Sequence, residues 1–352
     1  MRALQYTAFS GPLELVDLPD LRPVPGSAVV AVEATGLCRS DVHAWAGHDG
    51  DVVVSADRPH VAGHELVGRV AAVGTGVGVS WVGRRVTTPF VCACGRCAEC
   101  RSGDGQVCSA QTQPGFTHHG SWAEQVLVHD AATNLVEVPD DVDAGAAALL
   151  GCRFATAHRA LVQVARVRAG EVVLVLGCGG VGLSAVMIAA ALGADVVAAD
   201  VDPAALERAT ALGAGAAVAT RGRSPEEVAE AVRAVRPVGA AVSLDAAGRP
   251  ETMTAGLLSL ARRGRHVQVG LLAADPVVPV PRVVSHELSL LGSHGMDARA
   301  YPELLDLVTS GRLRPAVLVE RWLPLADAAG VEALVRAVDA GTAPAGVTMI
   351  RP

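Results

Sequence analysis

The chain has 352 residues and a formal net charge of −7, with 51% hydrophobic and 18% charged residues. Its length suits two ordinary domains with cores of their own, and its composition excludes an intrinsically disordered protein. All 29 basic residues are arginines that no segment gathers into a basic patch, and aromatic residues make up only 3% of the chain. We therefore expect no nucleic-acid partner.

The first 150 residues are rich in valine, glycine and proline and contain short apolar runs. Examples are SAVVAVEATG at 27–36, HELVGRVAAVG at 64–74 and WAEQVLVH at 122–129. Such runs predict strands, and several in succession favour a twisted, barrel-like β-domain. The N-terminus lacks the apolar core of a secretion signal, so we expect a cytoplasmic protein.

Eight cysteines in a chain without such a signal indicate a metal site or catalysis more than disulfides. Three residues of ligand type are dispersed, namely Cys38 in GLCRSDVH, His64 in AGHELVG and Cys152 in LLGCRFATAH. Two sulfur ligands and one nitrogen ligand, with a fourth position open, are typical of a catalytic zinc ion. Taken alone, Cys152 is more typical of a core position, and sequence distance does not bring the three together.

A compact cysteine motif lies between these residues. It has the spacing C-x2-C-x2-C-x7-C and consists of Cys94, Cys97, Cys100 and Cys108. Short spacings allow one tight loop to place four thiolates around a structural zinc ion. The alternative is a cluster of buried or reactive thiols, which would be exposed to oxidation without a metal. Cys92 is an additional thiol beside the motif, and we expect it to be a core residue.

The segment 172–200 has the order strand, glycine turn, helix and second strand that a dinucleotide-binding site requires. The turn consists of Gly177, Cys178, Gly179, Gly180, Val181 and Gly182. In this motif Gly177 makes the turn, Gly179 allows a pyrophosphate to approach the backbone, and Gly182 allows helix and strand to pack. Asp200 ends the second strand and is suited to accept hydrogen bonds from the ribose hydroxyls of NAD. We expect Cys178 to be a packed thiol.

The stretch from Val172 to Ala194 carries no charge and is long enough to span a bilayer. The glycines that interrupt it favour a buried strand, a turn and a buried helix instead, so we expect no membrane segment.

From about residue 153 the pattern alternates between strands and helices. Strands are predicted near 172–176, 195–199, 240–244 and 266–270. The segment VDPAALERATALGA at 201–214 has the Asp-Pro start and glycine stop of a helix. Such alternation predicts right-handed βαβ units and a parallel sheet.

Together these features closely resemble the zinc-dependent medium-chain alcohol dehydrogenases over essentially the whole chain. Besides the cysteine and glycine motifs, the resemblance rests on GLCRSDVHAW at 36–45, RPHVAGHELVG at 58–68, LLGCRFATAHRAL at 149–161 and VSLDAAG at 242–248. It implies an α/β protein with a GroES-like β-barrel catalytic domain and a Rossmann domain with a doubly wound parallel sheet. The implied boundaries are 1–152 and 295–352 for the catalytic domain and 153–294 for the NAD-binding domain.

The resemblance also implies roles for individual residues. The catalytic zinc ligands are Cys38, His64 and Cys152, and the structural zinc ligands are Cys94, Cys97, Cys100 and Cys108. Asp41 orients the histidine ligand, Glu65 is the acid beside the metal, Ser40 and His43 form a proton relay, and Thr156 lies against the nicotinamide. Cofactor contacts are implied for Arg39, Gly177, Gly179, Gly180, Val181, Gly182, Asp200 and Val269. Trp45 and Phe90 match substrate-pocket positions.

One departure from the family concerns the C-terminal segment PAGVTMIRP. Val347 stands where many members have a Gly-Arg pair whose arginine contacts the pyrophosphate, so we expect Arg39 to serve alone. The alternative role for His43 is a hydrogen bond to the backbone. The remaining histidines, including His118, His119 and His294, match no motif and are expected to be structural.

The sequence therefore predicts a cytoplasmic zinc-dependent alcohol dehydrogenase with two zinc ions per chain. It would catalyse reversible hydride transfer between a primary or secondary alcohol, or the corresponding aldehyde or ketone, and NAD. Two alternatives remain open, namely a polyol, amino-alcohol or specialised carbonyl enzyme on the same scaffold, and a non-catalytic sensor that binds zinc and a dinucleotide. The resemblance favours a homodimer or homotetramer without nucleic-acid or membrane partners.

Overall fold

The computed structural model describes residues 1–272 and 274–352, which contain short strands throughout the chain. The strands are β1 Arg2–Gln5, β2 Glu14–Asp17, β3 Ala28–Gly36, β4 Leu66–Val73, β5 Arg85–Thr87, β6 Gln125–Val128, β7 Val136–Glu137, β8 Val172–Leu176, β9 Asp195–Asp200, β10 Ala216–Ala219, β11 Ala240–Asp245, β12 Leu260–Gln268, β13 Ser289–Gly292, β14 Val319–Pro324 and β15 Val347–Arg351.

The helices are concentrated after residue 140. They are α1 Arg39–Trp45, α2 Ala98–Ser102, α3 Ala131–Asn134, α4 Ala144–Leu149, α5 Ala155–His158, α6 Gly180–Ala191, α7 Pro203–Ala211, α8 Pro225–Val235, α9 Pro250–Ser259, α10 Val280–His286, α11 Tyr301–Thr309 and α12 Ala328–Asp339. Two segments of wider, π-helical winding cover Leu150–Phe154 and Arg159–Val164.

The chain forms two compact units, and the first combines both ends of the sequence. Unit 1 comprises Met1–Ala155 and Gly295–Pro352, and unit 2 comprises Thr156–His294. The main sheet of unit 1 has the order β14-β15-β3-β4-β5-β7, with β6 also paired to β3. Because β15 pairs with the end of β3, the C-terminal segment is part of this sheet.

The pairing of β3 with β4 determines where the first functional residues lie. The two strands are antiparallel, with Thr35 opposite Leu66. Cys38 follows the end of β3 by two residues, and His64 precedes the start of β4 by two residues. Because antiparallel partners bring the end of one strand beside the start of the next, this register places Cys38 and His64 close together.

Unit 2 is built on a six-stranded parallel sheet with the order β10-β9-β8-β11-β12-β13. Its central strands are buried on both faces, as the apolar run Val173–Leu176 requires. The strand order reverses between β8 and β11, and in open α/β sheets ligands bind at the carboxyl ends of strands at such a reversal. The glycine turn that follows β8 lies at this position.

The predicted strands of unit 2 are present, with one difference at the last of them. The strand expected near 266–270 is the end of β12, which stops at Gln268, so Val269 follows the strand. The uncharged stretch Val172–Ala194 folds as β8, the glycine turn and α6. Within residues 1–272 and 274–352, no helix is both long enough and apolar enough to cross a bilayer.

Candidate functional site

Four side chains of metal-ligand type meet in unit 1: Cys38, His64, Glu65 and Cys152. One ligand atom of each lies within 4.8 Å of those of the other three. Cys38 caps the N-terminus of α1, His64 and Glu65 immediately precede β4, and Cys152 lies in a π-helical segment. The fold thus brings together the three dispersed residues that the sequence alone did not connect.

The Asp41 carboxylate links two of the chain segments that carry these residues. One oxygen accepts hydrogen bonds from His64 Nδ1 at 2.7 Å and from the Gly63 amide at 3.2 Å. The other oxygen accepts from the Cys38 amide at 2.8 Å, and the side chain is fully buried. Because the carboxylate holds an imidazole hydrogen on Nδ1, Nε2 is the ring nitrogen of His64 that is offered to a metal.

The Cys152 thiol donates a hydrogen bond to the sulfur of Cys38. A hydrogen bond from the Cys152 thiol holds the pKa of the Cys38 thiol well below its ordinary value. The same bond, together with burial, raises the pKa of Cys152. A soft metal ion bound by both sulfurs would displace this proton, since thiolates are the ligand form of cysteine.

Aromatic rings pack beside His64. The ring centroids of Phe116 and Phe90 lie 5.2 and 6.1 Å from that of His64. Sequence reasoning identified Phe90 but not Phe116, which belongs to none of the motifs. Trp45, the other predicted pocket residue, is only 2% exposed, packs in the hydrophobic core, and donates its indole hydrogen to the Gly11 carbonyl at 2.8 Å.

The residues predicted to carry protons lie at the start of α1. The Ser40 hydroxyl oxygen is 3.9 Å from the Cys38 sulfur. The exposed His43 ring accepts a hydrogen bond at Nε2 from Arg39 Nε, at 3.4 Å. Partial burial lowers the pKa of His43, and the charge of Arg39 lowers it further, so the imidazole is neutral near pH 7.

Arg153 is a residue of this site that sequence reasoning missed. Its Nε donates to one oxygen of Glu65 at 2.8 Å, its Nη2 donates to the other, and both side chains are buried. The signal that could have identified it was a charged residue directly after Cys152 in an otherwise apolar run. A buried charge requires a partner, and the acid beside His64 was the candidate.

The compact cysteine motif forms a second group. Its ligand atoms also lie within 4.8 Å of one another, and they belong to Cys94, Cys97, Cys100 and Cys108. Backbone amides point at the sulfurs; that of Arg96, for example, lies 3.5 Å from the Cys94 sulfur and lowers the pKa of Cys94 to about 6. Four sulfurs in one small loop match the donor set and number of a closed zinc site.

The glycine turn of unit 2 is shaped for close approach. Gly177 has a φ of +87°, and a Cβ atom there would meet Ala247. A Cβ atom at Gly182 would collide with the Gly177 carbonyl oxygen, so the helix starts against the turn itself. Gly179 differs from both, because a Cβ atom there would meet nothing within 4 Å. Open space at this glycine fits a pyrophosphate at the N-terminus of α6.

Asp200 stands beside this turn in a fixed position. One carboxylate oxygen accepts from the Cys178 amide at 2.6 Å and the other from the Asp202 amide at 2.9 Å. These bonds fix the carboxylate in place, and a carboxylate at the end of the second strand suits the ribose hydroxyls of a dinucleotide.

The remaining predicted residues of unit 2 are placed as follows. Gly180 and Val181 are the first two residues of α6. The Val269 amide donates to the Asp245 carbonyl at 3.0 Å. Thr156 is buried, and within the part of the chain that the structure describes its hydroxyl has no hydrogen-bond partner. An unsatisfied buried hydroxyl is a candidate for contact with a bound group.

Comparison with known proteins gives matches over nearly the whole chain. The family model of the alcohol dehydrogenase GroES-like domain matches residues 24–140, and that of zinc-binding dehydrogenases matches residues 180–310. An alcohol dehydrogenase of Rhizobium meliloti is 33% identical over 314 residues, which cover 89% of each chain. An NAD-dependent alcohol dehydrogenase of Sulfurisphaera tokodaii is 31% identical, covering 90% of this chain and 92% of that protein.

Among solved structures, the alcohol dehydrogenase of Thermus sp. ATN1 superposes with a TM-score of 0.88 at 30% identity. The match covers all of this chain and 99% of the other. The predicted fold class, a GroES-like domain together with a parallel-sheet Rossmann domain, is thereby confirmed.

The two cysteine-containing groups predict two zinc ions per chain in protein purified without chelator. Cys97→Ser should remove one ion and lower the thermal midpoint, because a closed structural site contributes directly to folding. Cys152→Ser should remove the other ion and abolish activity with a smaller change in midpoint. Elemental analysis and calorimetry of the two variants test this. A Cys152→Ser variant that keeps both ions and full turnover would contradict the assignment.

Proposed function

Because the chain belongs to the zinc-dependent medium-chain dehydrogenase family, as its motifs predicted, we propose that it is an NAD-dependent alcohol dehydrogenase. It transfers a hydride reversibly between a small primary or secondary alcohol, or the corresponding carbonyl compound, and NAD. The observation that carries this proposal is the buried convergence of Cys38, His64 and Cys152, with Asp41 behind the histidine. Three ligands of this kind leave a fourth position for substrate.

The residues of unit 1 fit the metal that this function needs. Cys38 and Cys152 supply two sulfurs and His64 supplies Nε2, whereas Cys94, Cys97, Cys100 and Cys108 hold the structural ion. Thiolate ligands favour zinc over magnesium or calcium. When bound, zinc polarises an alcohol or carbonyl oxygen as a Lewis acid. The Phe90 and Phe116 rings exclude water on one side of His64, and Phe90 contributes to the substrate pocket.

The residues of unit 2 fit NAD. The open space at Gly179 and the amides of Gly180 and Val181 receive the pyrophosphate, and Asp200 accepts from the ribose hydroxyls. Val201 and Asp202 follow Asp200, so no arginine is present there to receive the 2′-phosphate of NADP. Arg39 would serve as a further phosphate contact, Thr156 would lie against the nicotinamide, and Val269 would also contact the cofactor.

Two side chains of α1, Ser40 and His43, carry protons out of the site. Ser40 accepts the proton of the alcohol at Oγ as it gives up its own proton, which a ribose hydroxyl of bound NAD would carry to His43 for release to water. Since Nε2 of the neutral His43 ring accepts from Arg39, its hydrogen is on Nδ1 and Nε2 is the atom that takes up the proton. The Arg39 contact must open when this happens, and a phosphate is a suitable alternative partner for that guanidinium.

The two units divide after Ala155 and after His294, which supports a catalytic domain of residues 1–152 and 295–352 and an NAD-binding domain of residues 153–294. The protein works in the cytoplasm, in agreement with eight cysteines that form no disulfide in the part of the chain that the structure describes.

It forms a homodimer or homotetramer. Support comes from β13, an edge strand of the sheet, and from exposed apolar residues near it, including Val284 and Leu290.

The proposed activity is tested by following NADH formation at 340 nm over a panel of primary, secondary, polyhydroxy and amino alcohols. At least one class should be oxidised, and kcat/KM should be at least about tenfold higher with NAD than with NADP, because Asp200 repels the 2′-phosphate. Oxidation confined to polyols or amino alcohols would identify the alternative substrate class. Binding of NAD without turnover of any alcohol, aldehyde or ketone would favour the sensor and contradict the proposal.

A matched pair of glycine variants tests the cofactor site. Gly179→Ala adds a methyl group in open space, so the free energy of unfolding should fall by about 1 kcal/mol or less. The NAD dissociation constant should nevertheless rise about tenfold or more, because the methyl group lies where the pyrophosphate approaches. Gly182→Ala is the control for damage to the fold, with an expected loss of about 1–3 kcal/mol. Unchanged NAD affinity in Gly179→Ala would contradict the proposed placement.

The proton path predicts a pH-dependent defect. His43→Gln should slow alcohol oxidation about tenfold or more at pH 7, where the native imidazole is neutral and able to accept a proton. The defect should shrink toward pH 9, because hydroxide in bulk water then accepts the proton directly. Turnover numbers for both proteins across this range provide the measurement. Equal fractional activity at pH 7 and pH 9 would show that His43 has no relay function.

A further inference from the structure

Glu65 is close enough to occupy the fourth coordination position, which the site must keep open for substrate. Its carboxylate oxygen belongs to the same group as the ligand atoms of Cys38, His64 and Cys152, all within 4.8 Å of one another. A carboxylate oxygen is an accepted zinc ligand, and a zinc ion with four protein ligands is closed to substrate. Some feature of the chain must therefore keep Glu65 away from the ion.

Arg153 provides such a feature. Its guanidinium engages both oxygens of Glu65, through Nε at 2.8 Å and through Nη2. The Nη2 group also donates to the Leu37 carbonyl at 3.2 Å, which ties the guanidinium to the residue before Cys38. A two-pronged bond of this kind fixes the direction of a carboxylate as well as its charge.

The backbone on another side of Glu65 is shaped for the same position. A Cβ atom at Gly36 would collide with Oε2 of Glu65, so glycine leaves the space that the carboxylate fills. The other acid nearby, Asp41, is fully occupied by its bonds to His64, Gly63 and Cys38. Of the two acids, only Glu65 has an oxygen in the ligand group.

We infer that Arg153 is a positioning residue that withholds Glu65 from the metal, so that the fourth coordination position remains available to substrate. This inference rests on the proposed function, since it assumes a zinc ion on Cys38, His64 and Cys152. Arg153 also offsets the charge of Glu65, so that two thiolates alone neutralise the ion. A purely structural pair of buried charges would make the same hydrogen bonds but would not control ligand exchange.

The test uses holoenzyme in which the ion of this site is exchanged for Co²⁺, and it follows the d–d absorption bands during titration with imidazole. In Arg153→Gln, Glu65 is free to become the fourth ligand. Imidazole should then bind about tenfold or more weakly, and a chelator should remove the ion more slowly than from wild type. Arg153→Lys, whose ammonium group cannot grip both oxygens, should show the same two changes at about threefold.

Two further variants distinguish loss of the positioning of Glu65 from general damage to the fold. Glu65→Gln combined with Arg153→Gln should restore the imidazole affinity of wild type, because a carboxamide is a poor zinc ligand. Arg85→Gln is the matched control, since Arg85 is also a buried arginine paired with a glutamate, Glu33, at 2.8 Å. It should leave imidazole affinity and metal retention unchanged.

The possible outcomes separate a failure of the role of Arg153 from a failure of the proposed metal site. Wild-type imidazole affinity in Arg153→Gln and Arg153→Lys, or faster loss of the ion from both, would overturn the role of Arg153 alone. A wild-type chain whose Co²⁺ spectrum does not depend on Cys152 would overturn the metal site and the inference together.

Discussion

The candidate site depends on one buried carboxylate. Asp41 binds the amide of Cys38, the amide of Gly63 and Nδ1 of His64, and thus connects the chain after β3 with the chain before β4. Strand pairing brings these two segments near each other, but it does not orient a sulfur and an imidazole nitrogen toward one point. The carboxylate does so, and it also holds a hydrogen on His64 Nδ1, so that Nε2 is the nitrogen offered to a metal. Without it, a buried imidazole and two amides would lack partners.

At the start of α1, the same hydrogen bond serves both the fold and the site. Cys38 is the N-cap of α1, and Asp41 is the third residue of that helix, so the bond that starts the helix also positions a ligand.

Residues from the C-terminal part of unit 1 hold the loop that carries Cys94, Cys97, Cys100 and Cys108. Asp297 accepts from the Gly105 amide at 3.0 Å, and Arg299 donates to the Cys100 carbonyl at 2.8 Å. Together with the pairing of β15 with β3, these contacts join the segment that begins at Gly295 to unit 1.

Features encoded over short sequence distances could be predicted, and features that depend on distant pairing could not. The four cysteines between 94 and 108 and the glycine turn at 177–182 carry their geometry in their spacing. The convergence of Cys38 and His64 with Cys152 needed the family resemblance, because its cause is the register between β3 and β4 and a π-helical segment. The pair of Arg153 and Glu65 spans 88 residues, so the charged residue in the apolar run after Cys152 indicated a buried partner without fixing where that partner lies. Trp45 matched a pocket position, yet its side chain lies in the core with a satisfied indole hydrogen.

The central claim is that this chain holds two metal ions in different chemical settings, one closed by four sulfurs and one bound by two sulfurs and a nitrogen. Anomalous diffraction at the zinc absorption edge, on crystals of protein purified without chelator, tests it most directly. The account predicts two peaks per chain, one among the sulfurs of Cys94, Cys97, Cys100 and Cys108 and one between Cys38, His64 Nε2 and Cys152. At the second peak, Glu65 should remain on Arg153. A single peak at the four-cysteine loop, or a second ion closed by Glu65 in the substrate-free enzyme, would contradict the account.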